Sequence, residues 1–140
     1  MKVLIDTNVV LDILLDRQPW YTNAVLIFGL SKKGLIKSYV PASAITDIFY
    51  ISRKEKGKNV TNKAIKSLLQ VFYPAAVTDQ HIFKALDLDW EDFEDSVQFV
   101  VGEGLDIDYI VTRNVQDFSS CSIPAVTPDE FLKIVAVIET

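Results

Sequence analysis

Short apolar runs alternate with helix-like stretches along the whole chain, and this alternation limits the folds that the chain can adopt. The apolar runs predict strands at residues 2–5, 35–40, 74–77, 107–112 and 123–126. Apolar residues at helical spacing predict helices at residues 8–15, 19–33, 42–56, 61–73, 79–87 and 93–103. Strands separated by helices are joined by crossovers and therefore lie parallel. The predicted fold class is α/β, a three-layer α/β/α sandwich with a small, mainly parallel sheet.

A last helix has the clearest start in the chain. Thr127 suits the N-cap, Pro128 the first helical position and Glu130 the third, which together form a capping box with proline at its start. Pro41 similarly suits the first turn of the helix predicted over 42–56.

The composition is that of an ordinary folded domain. The chain has 140 residues, of which 49% are hydrophobic and 24% charged, and this balance excludes a disordered protein. The length predicts one domain over residues 1–140.

Fourteen basic and 19 acidic residues give a net charge of −5. A nucleic acid would therefore need a local basic patch, a metal ion or both.

The sequence also predicts a cytoplasmic protein without a membrane segment. The single cysteine, Cys121, cannot form an intrachain disulfide, which favours a reducing compartment. No apolar run reaches the roughly 18 residues of a membrane span. Asp6 interrupts the first apolar run, which is unlike the core of a signal peptide.

Polar residues follow two of the predicted strands. The functional crevice of a parallel α/β sheet lies beyond the carboxyl ends of its strands. Asp6 follows the first strand and residues 112–114 follow the strand over 107–112, so both belong to this crevice. Asp106 and Asp108 lie at the opposite end, and we do not expect them to be catalytic.

Four of the acids, Asp6, Asp47, Asp92 and Asp95, have both an ordinary and a functional interpretation. Asp6 suits the N-cap of the following helix as well as a functional site. Asp47 interrupts an apolar stretch, yet it also suits the polar face of its helix. Asp92 and Asp95 share a helix face if the helix includes both, although first-turn acids also favour the helix dipole. Asp117 lies just beyond the strongest strand.

Acids gathered at one edge of a sheet predict a bound cation. Like-charged carboxylates repel one another unless a positive charge compensates them. Mg²⁺ and Mn²⁺ prefer oxygen ligands, and the chain has no His or Cys pattern typical of a zinc site or a catalytic triad. Such an ion can activate a water molecule and polarise a phosphoryl oxygen. It would also let an acidic protein act on a phosphodiester.

The ordered set of motifs resembles the PIN-domain family, particularly the bacterial VapC-like toxins of toxin–antitoxin systems. The motifs are Asp6-Thr7-Asn8, an acid at position 47, residues 92–98, residues 111–114 with Asp117-Phe118, Ile123-Pro124 and residues 127–132. They occur in the family's order and span nearly the whole chain, so the expected domain is PIN-like.

The resemblance implies a metal-dependent endoribonuclease that hydrolyses RNA with Mg²⁺ or Mn²⁺. The family's first three acids fall on Asp6, Asp47 and Asp95, and the fourth falls on Asn114 or Asp117. Position 47 is Asp where the family usually has Glu, and position 114 is Asn where many members have Asp. We therefore favour Asp117 as the fourth acid, with Asp92 as a candidate helper.

Other residues are expected to support this site. Asn8 and Thr112 would orient the ligands by hydrogen bonds, and Arg113 and Asn114 lie near the crevice. A basic run at Arg53, Lys54, Lys56 and Lys58 either follows the RNA backbone or is a solvated helix end.

The resemblance also implies a cognate antitoxin and a homodimer. The aromatic pairs Trp20-Tyr21 and Phe49-Tyr50 could line a groove for a partner helix, or simply pack in the core.

Two other functions compete with the nuclease. A phosphatase with an aspartyl nucleophile typically has a second Asp two residues after the first, where this chain has Asn8. The alternative is a catalytically inactive PIN-like scaffold that binds RNA or protein without cutting.

Overall fold

A five-stranded, wholly parallel sheet forms the centre of the molecule. We describe a computed structural model over residues 1–139, apart from the side chain of Glu139. The strands are β1 (Lys2–Ile5), β2 (Lys37–Pro41), β3 (Tyr73–Ala75), β4 (Tyr109–Val111) and β5 (Ala125–Val126). Their order in the sheet is β3-β2-β1-β4-β5. The predicted parallel sheet is confirmed, and β1 at its centre places Asp6 at the middle of the carboxyl edge.

Helices connect the strands. They are α1 (Thr7–Leu14), α2 (Tyr21–Lys32), α3 (Ala42–Lys56), α4 (Lys58–Leu68), α5 (Asp79–Leu88), α6 (Phe93–Gly104) and α7 (Pro128–Glu139), with a 3-10 helix at Val115–Phe118. Among the described residues, no helix combines the length and apolarity needed to cross a membrane.

The two faces of the sheet bury separate cores, which makes the fold a three-layer sandwich. Alternate residues of β1 point to opposite faces, so Val3 and Ile5 join one core while Leu4 joins the other. The first core packs against helices α1 to α4 and α7, and the second against α5 and α6. The predicted three-layer α/β/α fold is confirmed.

Several predicted boundaries were wrong, and backbone hydrogen bonds explain the differences. The strand expected over 107–112 shortens to β4 because the N–H of Ile107 bonds back to Gly102 O at 3.2 Å, in the turn after α6. The helix expected over 61–73 is shifted towards the N-terminus as α4. The chain turns after Leu68, whose carbonyl accepts from Phe72 N at 2.8 Å. Pro41 ends β2, with an extended backbone, and does not enter α3.

The capping box of α7 is present as predicted. The Thr127 N–H donates to Glu130 Oε1 at 3.0 Å, and the Glu130 N–H donates to Thr127 Oγ1 at 3.2 Å. These bonds satisfy amides that the first turn of a helix leaves without partners.

Candidate functional site

Asp6 is the most firmly held acid at the carboxyl edge of the sheet. Its side chain is only 6% exposed. Oδ1 accepts from the N–H of Thr7 and from Nε2 of Gln98, each at 2.8 Å. Oδ2 accepts from the Thr112 hydroxyl at 2.7 Å. Asp6 also caps α1, which is the ordinary role that its residue type suggested.

Asp95 lies opposite Asp6 in the first turn of α6 and is 8% exposed. Asp92 is the N-cap of this helix, and its Oδ1 accepts from Asp95 N at 3.1 Å. Burial raises the pKa of Asp95 to about 7, and neighbouring carboxylates add to that shift. Those carboxylates belong to Asp6, Asp92, Asp117 and Glu94. The protein therefore leaves much of the charge of Asp95 uncompensated.

Glu94 joins the acids, although sequence reasoning gave it no role. The Thr7 hydroxyl donates to Glu94 Oε1 at 2.7 Å. Burial raises the pKa of Glu94, the Thr7 bond opposes the shift, and nearby carboxylates, including that of Asp47, reinforce it. Asp47 is exposed on α3 and shares a small pocket with Glu94. The structure thus places Asp47 at the margin of the acidic cluster, next to Glu94.

The two candidates for the fourth acid differ in position. Asp117, in the 3-10 helix, lines a groove of about 910 Å³ together with Asp92, Asp95 and Trp90. Its charge raises the pKa of Asp95, after the larger effect of burial. Asn114 is exposed, and its backbone N–H donates to Thr112 Oγ1 at 3.0 Å.

Arg113 forms an ion pair with an acid that sequence reasoning did not single out. Its Nε lies 3.0 Å from Oδ2 of Asp12, a fully buried residue of α1. Neither atom has a hydrogen-bond partner of good geometry, so the attraction is mainly Coulombic. The guanidinium also lies 3.9 Å from the centre of the Trp20 ring. Burial raises the pKa of Asp12, while Arg113 and Arg17 lower it.

Thr112 and Asn8, which were both predicted to orient ligands, differ in their hydrogen bonds. Thr112 is fully buried, and its hydroxyl orients Asp6. Asn8 is half-buried, and its Oδ1 is a buried atom without a hydrogen-bond partner in the described part of the chain. Of the residues predicted to orient ligands, Thr112 is the one with a bond to a candidate ligand.

The donor chemistry of the edge fits Mg²⁺ or Mn²⁺. Within residues 1–139, no three His, Cys, Asp or Glu side chains are grouped as a ready-made metal site. Asp6 and Asp95 are nevertheless linked through one amide nitrogen of Gln98. Mg²⁺ is commonly held by one or two carboxylates and keeps several waters. An open pair of acids, one carrying uncompensated charge, suits such an ion.

Sequence reasoning assigned no role to Glu94, Gln98 or Asp12, although the first two lie within the motif at residues 92–98. Two of them had a visible sign, because Gln98 and Asp12 are polar residues inside otherwise apolar helical runs. Glu94 resembled an ordinary first-turn acid and had no such sign.

The chain belongs to the PIN domain family, whose profile matches residues 2–116. A comparison with curated protein sequences gave no match. The family assignment therefore rests on the profile, the topology and the order of the motifs.

Solved structures with the same fold come from several bacteria. VapBC2 from Rickettsia felis, bound to a promoter DNA fragment, has a TM-score of 0.68 and 15% identity, covering 91% of this chain and 98% of that one. VapC20 from Mycobacterium tuberculosis, a toxin that cleaves the sarcin–ricin loop, has a TM-score of 0.68 and 12% identity, covering 85% and 95%. A toxin–antitoxin complex from Klebsiella pneumoniae has a TM-score of 0.64 and 18% identity, covering 90% and 97%.

Proposed function

We propose that this protein is an endoribonuclease dependent on Mg²⁺ or Mn²⁺, and the toxin of a toxin–antitoxin pair. One observation carries the proposal. Asp6, Asp95 and Asp117 come from three separate segments to one edge of the sheet, where burial and mutual repulsion raise the pKa of Asp95 to about 7. Mutual repulsion of these carboxylates destabilises the fold unless a cation compensates their charge.

The acids would have separate roles in the site. Asp6 and Asp95 would hold the principal ion, and Asp117 would support a second ion or the attacking water. From the margin, next to Glu94, Asp47 would position the ion or a water beside it. A bound divalent ion supplies an activated water and polarises a phosphoryl oxygen. Thr112 keeps Asp6 in a single orientation through its 2.7 Å hydrogen bond.

Positive charge for RNA is concentrated at the end of α3 and the start of α4. Arg53, Lys54, Lys56 and Lys58 are all exposed, and Lys56 lies 3.7 Å from Asp16. We propose that this basic run follows the phosphate backbone, since the chain as a whole carries a net charge of −5. Arg113 and Asn114, at the carboxyl edge, would lie near the bound strand.

The proposed partners are RNA, a cognate antitoxin and a second copy of the chain, in the cytoplasm. The Klebsiella pneumoniae structure of the same fold is a toxin–antitoxin complex, which supports an antitoxin here. Co-purification with the product of the adjacent gene would test it. Light scattering would test the homodimer, and a monomeric mass would contradict it.

Cleavage of a mixed pool of structured RNAs tests the activity directly. The pool includes a sarcin–ricin hairpin, because VapC20 cleaves that loop. The purified protein is assayed with Mg²⁺, Mn²⁺ or EDTA. We expect cuts that require the ion and are lost in Asp6→Asn. Asp108→Asn is the matched control, since Asp108 lies at the opposite edge and accepts from Lys2 N at 2.8 Å.

Two results would contradict the nuclease. Absence of ion binding by calorimetry would mean that the acids do not form a metal site. Ion and RNA binding without cleavage of any RNA in the pool would favour the inactive scaffold.

A further inference from the structure

Gln98 is a buried amide in a helix whose buried residues are mostly apolar. It lies in α6 and is 1% exposed, among the buried residues Val97, Phe99 and Val100. Burying an amide in such surroundings is unfavourable unless its polar atoms are bonded. Packing alone would favour an aliphatic side chain at this position, so the amide calls for another explanation.

The amide nitrogen faces both principal acids. Nε2 of Gln98 lies 2.8 Å from Asp6 Oδ1 and 3.5 Å from Asp95 Oδ1. The opposite orientation of the amide would turn its carbonyl oxygen towards two carboxylates, which repel it. Electrostatics therefore fixes the N–H groups towards the acids, even though Oε1 is left buried without a partner among the described residues.

These contacts determine which lone pairs of Asp6 stay free. A carboxylate offers about four acceptor positions. The Thr7 N–H and Gln98 Nε2 bond to Oδ1, and the Thr112 hydroxyl bonds to Oδ2. The remaining position on Asp6 is on Oδ2. Gln98 thus leaves Asp6 ready to ligate through one defined oxygen.

We propose that Gln98 is a positioning residue that holds Asp6 and Asp95 at the separation and orientation a divalent ion requires. The inference rests on the proposed function, because it assumes that these two acids bind the ion. Hydrogen-bond partners of metal ligands restrict their orientation, and their loss typically weakens metal binding about 10- to 100-fold. A merely structural hydrogen bond would affect folding but not the affinity for metal of the folded protein.

The test is Mn²⁺ binding to the purified protein, measured by calorimetry and by the loss of the free-ion EPR signal. Gln98→Met keeps the approximate shape of the side chain and removes the donor. We expect its Kd for Mn²⁺ to rise about 10-fold or more. Ser96→Ala is the matched control, because Ser96 is equally buried in α6 and bonds to the Phe93 carbonyl at 2.6 Å. We expect its Kd to match that of the wild type.

A second variant keeps the inference testable if Gln98→Met does not fold. Gln98→Asn keeps a buried amide but is one methylene shorter, so its N–H groups no longer reach Asp6 and Asp95 together. We expect Mn²⁺ to raise its Tm by less than it raises that of the wild type.

The outcomes separate this inference from the proposed function. If the wild type binds Mn²⁺ and Gln98→Met binds it equally well, the positioning role is wrong and the nuclease proposal stands. An equal Mn²⁺-induced rise in Tm for Gln98→Asn and the wild type would also overturn it. If the wild type does not bind Mn²⁺, or if Asp6→Asn binds it as tightly as the wild type does, the metal site itself is wrong.

Discussion

The hydroxyl of Thr112 donates a hydrogen bond of 2.7 Å to Oδ2 of Asp6. The bond joins the carboxyl ends of β4 and β1, and both side chains are almost fully buried. The same hydroxyl accepts from Asn114 N at 3.0 Å, which leaves its own hydrogen free to point at the carboxylate. One threonine therefore fixes both the acid of β1 and the start of the segment that carries Asp117.

Thr112→Val should separate this hydrogen bond from the packing of the side chain. Valine has nearly the same shape, but it leaves a buried carboxylate oxygen and the Asn114 N–H without their partner. We expect a loss of about 1–3 kcal/mol in the free energy of unfolding, measured by urea denaturation. RNA cleavage should fall as well, while Thr112→Ser, which keeps the hydroxyl, should preserve most of both. Equal cleavage by the valine and serine variants would show that the bond does not support the site.

The raised pKa of Asp95 predicts that the metal-free protein loses stability as the pH rises. Its pKa in the folded state is about 7, against 3.8 for an isolated aspartate side chain, chiefly because of burial. Between those two values the folded state binds more protons than the unfolded state, so the free energy of unfolding falls with increasing pH. The full destabilising cost of ionising Asp95 is therefore present only above about pH 7.

Asp95→Asn should remove this cost, because the amide carries no charge. At pH 8 without metal, we expect the variant to be more stable than the wild type by about 1–4 kcal/mol, with a smaller difference at pH 5. Denaturation at both pH values measures it, and Asp87→Asn, at an exposed position of α5, is the control. Mn²⁺ should stabilise the wild type at pH 8 but not Asp95→Asn. A variant less stable than the wild type at pH 8 would contradict the prediction.

The buried carboxylate of Asp12 should make Arg113 important for stability. Arg113→Met removes the cation 3.0 Å from Asp12 Oδ2 and leaves a fully buried acid without its partner. Breaking one side of a buried pair costs about 3–5 kcal/mol. Because Arg17 also lowers the pKa of Asp12, we expect the loss in the free energy of unfolding to lie near the lower end of that range.

A double-mutant cycle measures the coupling within this pair. Arg113→Met in an Asp12→Asn background should cost much less than in the wild type, because no buried charge remains to be compensated. The free energies of unfolding of the four proteins give the coupling. Additive losses would mean that Arg113 stabilises the protein through its contact with Trp20 and not through the ion pair.

Local rules predicted the elements whose ends are marked by particular residues. The start of α7 follows from Thr127 and Glu130, and α3 ends before Gly57, whose φ of 83° favours glycine. The end of α4 and the shortness of β4 could not be predicted in this way. They depend on turns closed by main-chain bonds at Leu68 and Gly102, and no residue type at those positions announces them.

The location of the candidate site could be predicted from the sequence, but its contacts between side chains could not. The strand-end rule brought Asp6 and Thr112 to one edge, because parallel strands all end on the same side. The bonds from Thr7 to Glu94 and from Gln98 to Asp6 join α1 or the end of β1 to α6, far apart in the sequence. Helical periodicity assigns a residue to a face of its own helix, but it does not show which side chain of another element it meets.

Charge reversal in the basic run should weaken RNA binding and flatten its dependence on salt. Lys54 and Lys58 are exposed and, unlike Lys56, are not near enough to an acid among the described residues to form an ion pair. Each phosphate contact releases condensed counterions, so its loss makes the slope of log K against log salt shallower by about one unit. We expect Lys54→Glu with Lys58→Glu to lower both affinity and slope, in an Asp6→Asn background that prevents cleavage. Lys32→Glu with Lys33→Glu, at the end of α2, makes the same change in net charge elsewhere. An equal loss in the two double variants would show that RNA responds only to net charge, and that the run is an ordinary solvated helix end.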